Sequence, residues 1–176
     1  MKSMIAVFMA FVMALCSVGC GTPTSNLIVA LNAVSDAASV AVVVTQALVA
    51  TGKVDQATAN LVATYSASVG TAVNTATTEL NSTDTNAVKI EKVTAAFAAV
   101  AAPAFGANAP EILAAINAVT AAINIFIQQL QGTSVTAAAK AAPHAPIVLS
   151  HNDKMMIKKI HTKTAEMMAA AAKLKK

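Results

Sequence analysis

Apolar positions recur at helical spacing along most of the chain. In 24–51, Leu27, Leu31, Val34, Ala38, Ala41, Thr45 and Leu48 step by four and three, the seam of packed helices. Ile28, Val42 and Val49 widen that seam, Asn32, Asp36 and Gln46 lie off it, and Gly52 is a stop. A second stretch, 55–80, carries Leu61, Tyr65, Val69, Val73, Ala76 and Leu80, then reaches the turn-and-cap cluster Asn81-Ser82-Thr83-Asp84. A third, 85–102, sets Ile90, Val93, Phe97 and Val100 on one face, and Pro103 ends it. The fourth opens with Asn108-Ala109-Pro110-Glu111, a capping Asn with an acid three residues on. Ile112, Ile116, Val119, Ile123, Phe126 and Leu130 then share about 80° of arc, and Gly132 reads as the C-terminal stop.

The chain is rich in Val and Thr, which favour strands, but periodicity sustained over four such lengths outweighs that preference. The connections are short, so successive helices are expected to run antiparallel. The pattern predicts an all-α protein: an antiparallel Ala-rich four-helix bundle over 27–132. Alanine, 42 of 176 residues, lines much of each seam and allows close helix approach. Each Ala buries less area than Leu would, and its helix propensity offsets part of that loss.

Beyond Gly132 the pattern changes. Residues 133–150 contain Pro143 and Pro146 and read as a linker. Ser150-His151-Asn152-Asp153 then resembles a capping box opening a C-terminal helix over 151–176. Met156, Ile157, Ile160, Thr164, Met167, Met168, Ala171 and Leu174 occupy about 120° of it. Residues 20–150 hold four lysines against six acids, a charge of −2, and 151–176 hold seven against two, +5. The tail is thus a basic amphipathic helix, with Lys154, Lys158, Lys159, Lys163, Lys173, Lys175 and Lys176 as candidate contacts to an anionic surface. An anionic lipid, an acidic protein or an acidic envelope polymer would each fit. The other reading packs the Met/Ile face on the bundle and leaves the lysines in water, with Ile125, off the fourth seam, as a docking point.

The first nineteen residues read as a signal peptide: Lys2, the uncharged run Ile5 to Leu15, then small residues Ser17 and Gly19. The apolar run is about half the ~20 residues a membrane span needs. Ser17-Val18-Gly19-Cys20 resembles the lipobox of bacterial lipoproteins, which prefers Leu where this chain has Ser17. The resemblance covers these twenty residues and implies acylation of Cys20, with 20–26 as a tether and the protein held on the outer side of a bacterial membrane, the outer membrane in a Gram-negative host. Small residues at both positions also suit ordinary signal cleavage, which would release a soluble protein.

Composition narrows the chemistry. With 56% hydrophobic and 11% charged residues, intrinsic disorder is excluded. Two cysteines, both in the first twenty residues, exclude a disulfide scaffold and a thiolate zinc site. Neither a glycine-rich phosphate loop nor a nucleophile elbow is present, and the acids sit near helix starts or on exposed faces. The expected protein is therefore non-catalytic and needs no cofactor. Export and the scarcity of aromatics argue against nucleic acid. A Cu(I) site from His151, Met155, Met156, His161, Met167 and Met168 is disfavoured, because the two histidines lie about 15 Å apart along the helix. A competing expectation is a membrane-active protein that inserts its third and fourth helices, since 112–139 carries no charge. Asn117, Asn124, Gln128, Gln129 and Gln131 interrupt that stretch.

Overall fold

A computed structural model describes residues 23–103, 110–135 and 147–175, and the side chains of all but 23 and 132–135 within those ranges. The stretch expected to be a signal peptide, Cys20, Asn108, His144, most of the expected linker and Lys176 lie outside the described residues. The described chain is helical throughout, with α1 Pro23–Ala50, α2 Gln56–Asn81, α3 Asn86–Ala98, α4 Pro110–Val135 and α5 His151–Leu174.

The helix ends follow from local chemistry. Gly52, at φ 67°, closes α1. Its N–H donates to the Val49 carbonyl at 3.0 Å, and Lys53 N–H to Leu48 at 2.9 Å. This is the Schellman arrangement, which needs a left-handed residue at that point. Asp55 caps α2 by accepting from the Thr58 N–H at 2.8 Å. Ser150 and Asp153 form the expected capping box of α5. Elsewhere the sequence signals are displaced. Helix α1 begins at Pro23, so most of the expected tether is helical. Helix α3 ends at Ala98, ahead of Pro103. Helix α4 continues through Gly132 to Val135, where the described residues stop, because one glycine weakens a helix by only about 1 kcal/mol.

Helix α1 is the centre of the molecule, packing against α4, α2 and α5, while α2 also packs against α5 and α3. Contact on three sides explains why burial on α1 is wider than its predicted seam, taking in Ala30, Ala33, Ser35 and Ala37. On α2 the seam turns slightly: Val62 is buried and Leu61 is exposed. Helix α4 presents Ile112, Ile116, Val119, Phe126 and Leu130 to the core. Phe126 meets Phe97 of α3 with ring centroids 5.2 Å apart and planes tilted by 56°, a favourable aromatic geometry.

The C-terminal helix belongs to this core. Ile157, Ile160, Met167, Ala171 and Leu174 are buried in the same hydrophobic cluster as the residues of α1 to α4. The fold is therefore a five-helix bundle. The tail lies against α1 and α2, not on the Ile125 side of α4.

Candidate contact face on the fifth helix

A row of polar contacts holds α5 in place. Thr164 and Ser35 hydroxyls share a buried hydrogen bond of 3.1 Å. Lys163 Nζ donates to Asp36 Oδ1 at 2.6 Å and to Asn32 Oδ1 at 3.3 Å. Asn32 in turn donates to Asp36 Oδ2 at 2.8 Å, so lysine, amide and carboxylate close on one another. Further along, Gln46 donates to the Ala170 carbonyl at 3.1 Å. On the α2 side His161 Nδ1 meets Asn74 Oδ1 at 3.1 Å, and Gln56 donates to the Leu174 carbonyl. Residue numbers on α1 and α5 rise together across these contacts, so the two helices are parallel. Those on α2 fall as α5 rises, so that pair is antiparallel.

Gly70 lets α2 and α5 approach closely. A Cβ at this position would lie 2.8 Å from both Cγ and Sδ of Met168, and 3.0 Å from Cε of Met167. The α2–α5 interface is therefore built around a missing side chain.

With the apolar face of α5 buried, its outward face is basic. Lys154, Lys158, Lys159, Lys173 and Lys175 are exposed, beside one exposed acid, Glu166. Asp153 is buried in the cap. Lys163 does not belong to this set, because Asp36 and Asn32 occupy it. The clasp was missed in the sequence because Asn32, Asp36 and Gln46 registered only as positions off the α1 seam. Their spacing, with Ser35 and Ser39 between them, marks a second, polar face with a partner of its own. Gly70 carried no signal of contact at all, since nothing in the sequence places Met168 opposite it.

The remaining chemistry-bearing groups serve the fold. Lys89, buried on α3, donates from Nζ to the Leu80 carbonyl at 3.3 Å. It thereby caps the negative end of α2. Lys92 bridges Asp84 at 2.7 Å and Glu79 at 3.2 Å. The hydrogen bond and charge of Lys92 hold the Asp84 carboxyl below its ordinary value. Reciprocally, hydrogen bonds to Asp84 and Glu79 raise Lys92. Burial raises the Tyr65 phenol, and the hydroxyl of Thr120 partly offsets this. Among the described residues, the buried Ser66 hydroxyl finds no hydrogen-bond partner, and neither do the buried Thr94 Oγ1 and Gln129 Oε1. Among the described residues, no three His, Cys, Asp or Glu side chains are placed to share a metal ion.

Among the described residues, two helices are long and apolar enough to cross a bilayer: Thr24–Ala50 and Pro110–Gln131, with mean hydropathies of 2.1 and 1.6. Burial separates them, covering 56% of the first window and 33% of the second. The first is thus a core helix by position, and the second lies at the edge of the bundle. Compared with protein-family models, curated proteins and solved structures, the chain matches none of them.

Proposed function

We propose that this protein is a non-catalytic lipoprotein of a bacterial envelope, anchored through Cys20 and making contact through the exposed lysines of α5. The observation that carries the reading is the division of α5 into two faces. Ile157, Ile160, Met167, Ala171 and Leu174 are inside the core, so apart from Met155 and Met156 the outward face offers a partner charge, and the helix does not insert. That favours an anionic surface of lipid, envelope polymer or acidic protein. The lipobox-like Ser17-Val18-Gly19-Cys20 supplies the anchor. Two or three acyl chains hold a protein firmly, where one holds it marginally. The mass of the mature N-terminal peptide tests this directly: an acylated Cys20 is expected, and an unmodified one overturns the anchor.

A second reading rests on the edge position of α4, with only 33% of its apolar window covered. In that reading the helix leaves the bundle and enters lipid. Its outward face opposes this, carrying Asn117, Asn124, Gln128 and Gln131, all exposed and costly in hydrocarbon. Helix α3 is a poor partner, since its 13 residues reach about 20 Å, short of the ~30 Å hydrocarbon core. A chain with Cys20→Ser should remain soluble without detergent and leave dye-loaded vesicles sealed. Leakage would favour insertion.

A further inference from the structure

The two N-terminal ends of α1 and α5 lie at one end of the bundle. Ser35 is level with Thr164; Pro23 lies twelve residues before the first, and His151 thirteen before the second. At about 1.5 Å per residue these starts are displaced by ~18 and ~20 Å in the same direction. Helix α2, antiparallel to α5, ends at this same place and turns there into α3. The strap before α5 is fastened to that corner, where the Ile147 N–H donates to Asn86 Oδ1 at 3.1 Å.

This end collects exposed lysines and exposed apolar side chains. Lys154, Lys158 and Lys159 surround Met155, which is 46% exposed, and the adjoining strap presents Val148 at 71%. The nearby acids are largely engaged: Asp153 caps α5, and Asp84 and Glu79 hold Lys92. Glu91 is exposed further along α3. Lys173 is nineteen residues from Lys154, about 28 Å along the axis. That exceeds the ~8–10 Å screening length at moderate salt several-fold. Cys20 is three residues from the start of α1, within about 11 Å of it even when fully extended.

We propose that this end of the bundle rests on the bilayer. Lys154, Lys158 and Lys159 would contact anionic lipid headgroups, and Met155 and Val148 would lie at headgroup level. The inference takes the anchor at Cys20 from the preceding reading. It makes the anchor and the lysines two points of one contact, orients α1 and α5 away from the membrane, and leaves Lys173 and Lys175 remote from it.

The test separates face from anchor by using residues 20–176 with Cys20→Ser, which cannot be acylated. Partition is measured onto vesicles of phosphatidylcholine with and without 30% phosphatidylglycerol. The parent chain should bind only the anionic vesicles. The triple variant K154E/K158E/K159E should lose on the order of a hundred-fold or more in partition, while K173E/K175E stays within about three-fold of the parent. A folded control is the unfolding midpoint of each variant, and K158E alone, expected to lose about five-fold or more, serves if the triple variant is destabilised. Equal losses at the two ends, or a parent chain that ignores anionic vesicles, would overturn the proposal. Either result leaves the acylation of Cys20 to be decided separately by its mass.

Discussion

Single side chains decide how closely the helices of this bundle meet. Gly70 has no room for a Cβ, because Met168 Cγ and Sδ would stand 2.8 Å from it. Gly70→Ala therefore forces Met168 aside and should cost about 1–3 kcal/mol in urea unfolding, despite the better helix propensity of Ala. The penalty should shrink when Met168→Ala is added, and an unchanged penalty would place the strain elsewhere. Ser66 works in the other direction. Its buried hydroxyl has no partner among the described residues, so Ser66→Ala removes a desolvated polar group at almost constant volume. The variant should be more stable by about 1 kcal/mol, and a loss of stability would reveal a bond to that hydroxyl. Neither effect is legible in the sequence. The seam residues were, since Leu31, Val34, Val69, Val73, Ile116 and Phe126 are buried where their spacing put them. Leu61 departs because α2 packs against three neighbours and its buried arc is centred nearer Val62.

At the scale of the element, the corner between α2 and α3 has a definite pH response. Asp84 is held below its ordinary value of 3.8 by Lys92. Its contribution is therefore present above that value and fades as pH falls through the lower folded one. Lys92 is raised above 10.5, so its share persists below that pH and is lost on passing above the raised value. Both side chains face water, which keeps the contribution small. Comparing unfolding midpoints of the parent and Asp84→Asn, the gap should be constant from about pH 5 to 9 and close towards pH 3. A gap that persists at pH 3 would mean that Asp84 acts by some route other than its charge. The capping box of α5 and the Gly52 stop ahead of α2 made those two helix starts readable. The end of α3 was less so, because a helix stops where its packing stops, and Pro103 lies beyond that limit without setting it; Gly132 likewise does not stop α4.

At the scale of the whole molecule, the fifth helix changes what the fold is. The expected four-helix bundle with an appended tail is a single core of five helices, since Ile157, Ile160, Met167 and Leu174 are buried with residues of the other four. The sequence showed the amphipathic face but not its destination, because covering a bundle and covering lipid demand the same apolar stripe. A chain ending at residue 150 should lose its cooperative thermal transition and bind an apolar dye, as the surfaces of α1 and α2 beneath α5 become wet. A sharp transition in that truncated chain would show the first four helices to be sufficient.

The clasp between Ser35 and Thr164 spans 129 positions of sequence. A polypeptide emerging from its amino end must therefore extend at least to Thr164 before this groove can be filled. Until then the flank of the central helix that carries Asn32, Ser35, Asp36 and Gln46 remains uncovered, and a long-separation contact is slow to form. Were the chain exported as proposed above, that delay would be an asset: the native state would stay out of reach during passage and close once the fifth helix arrives.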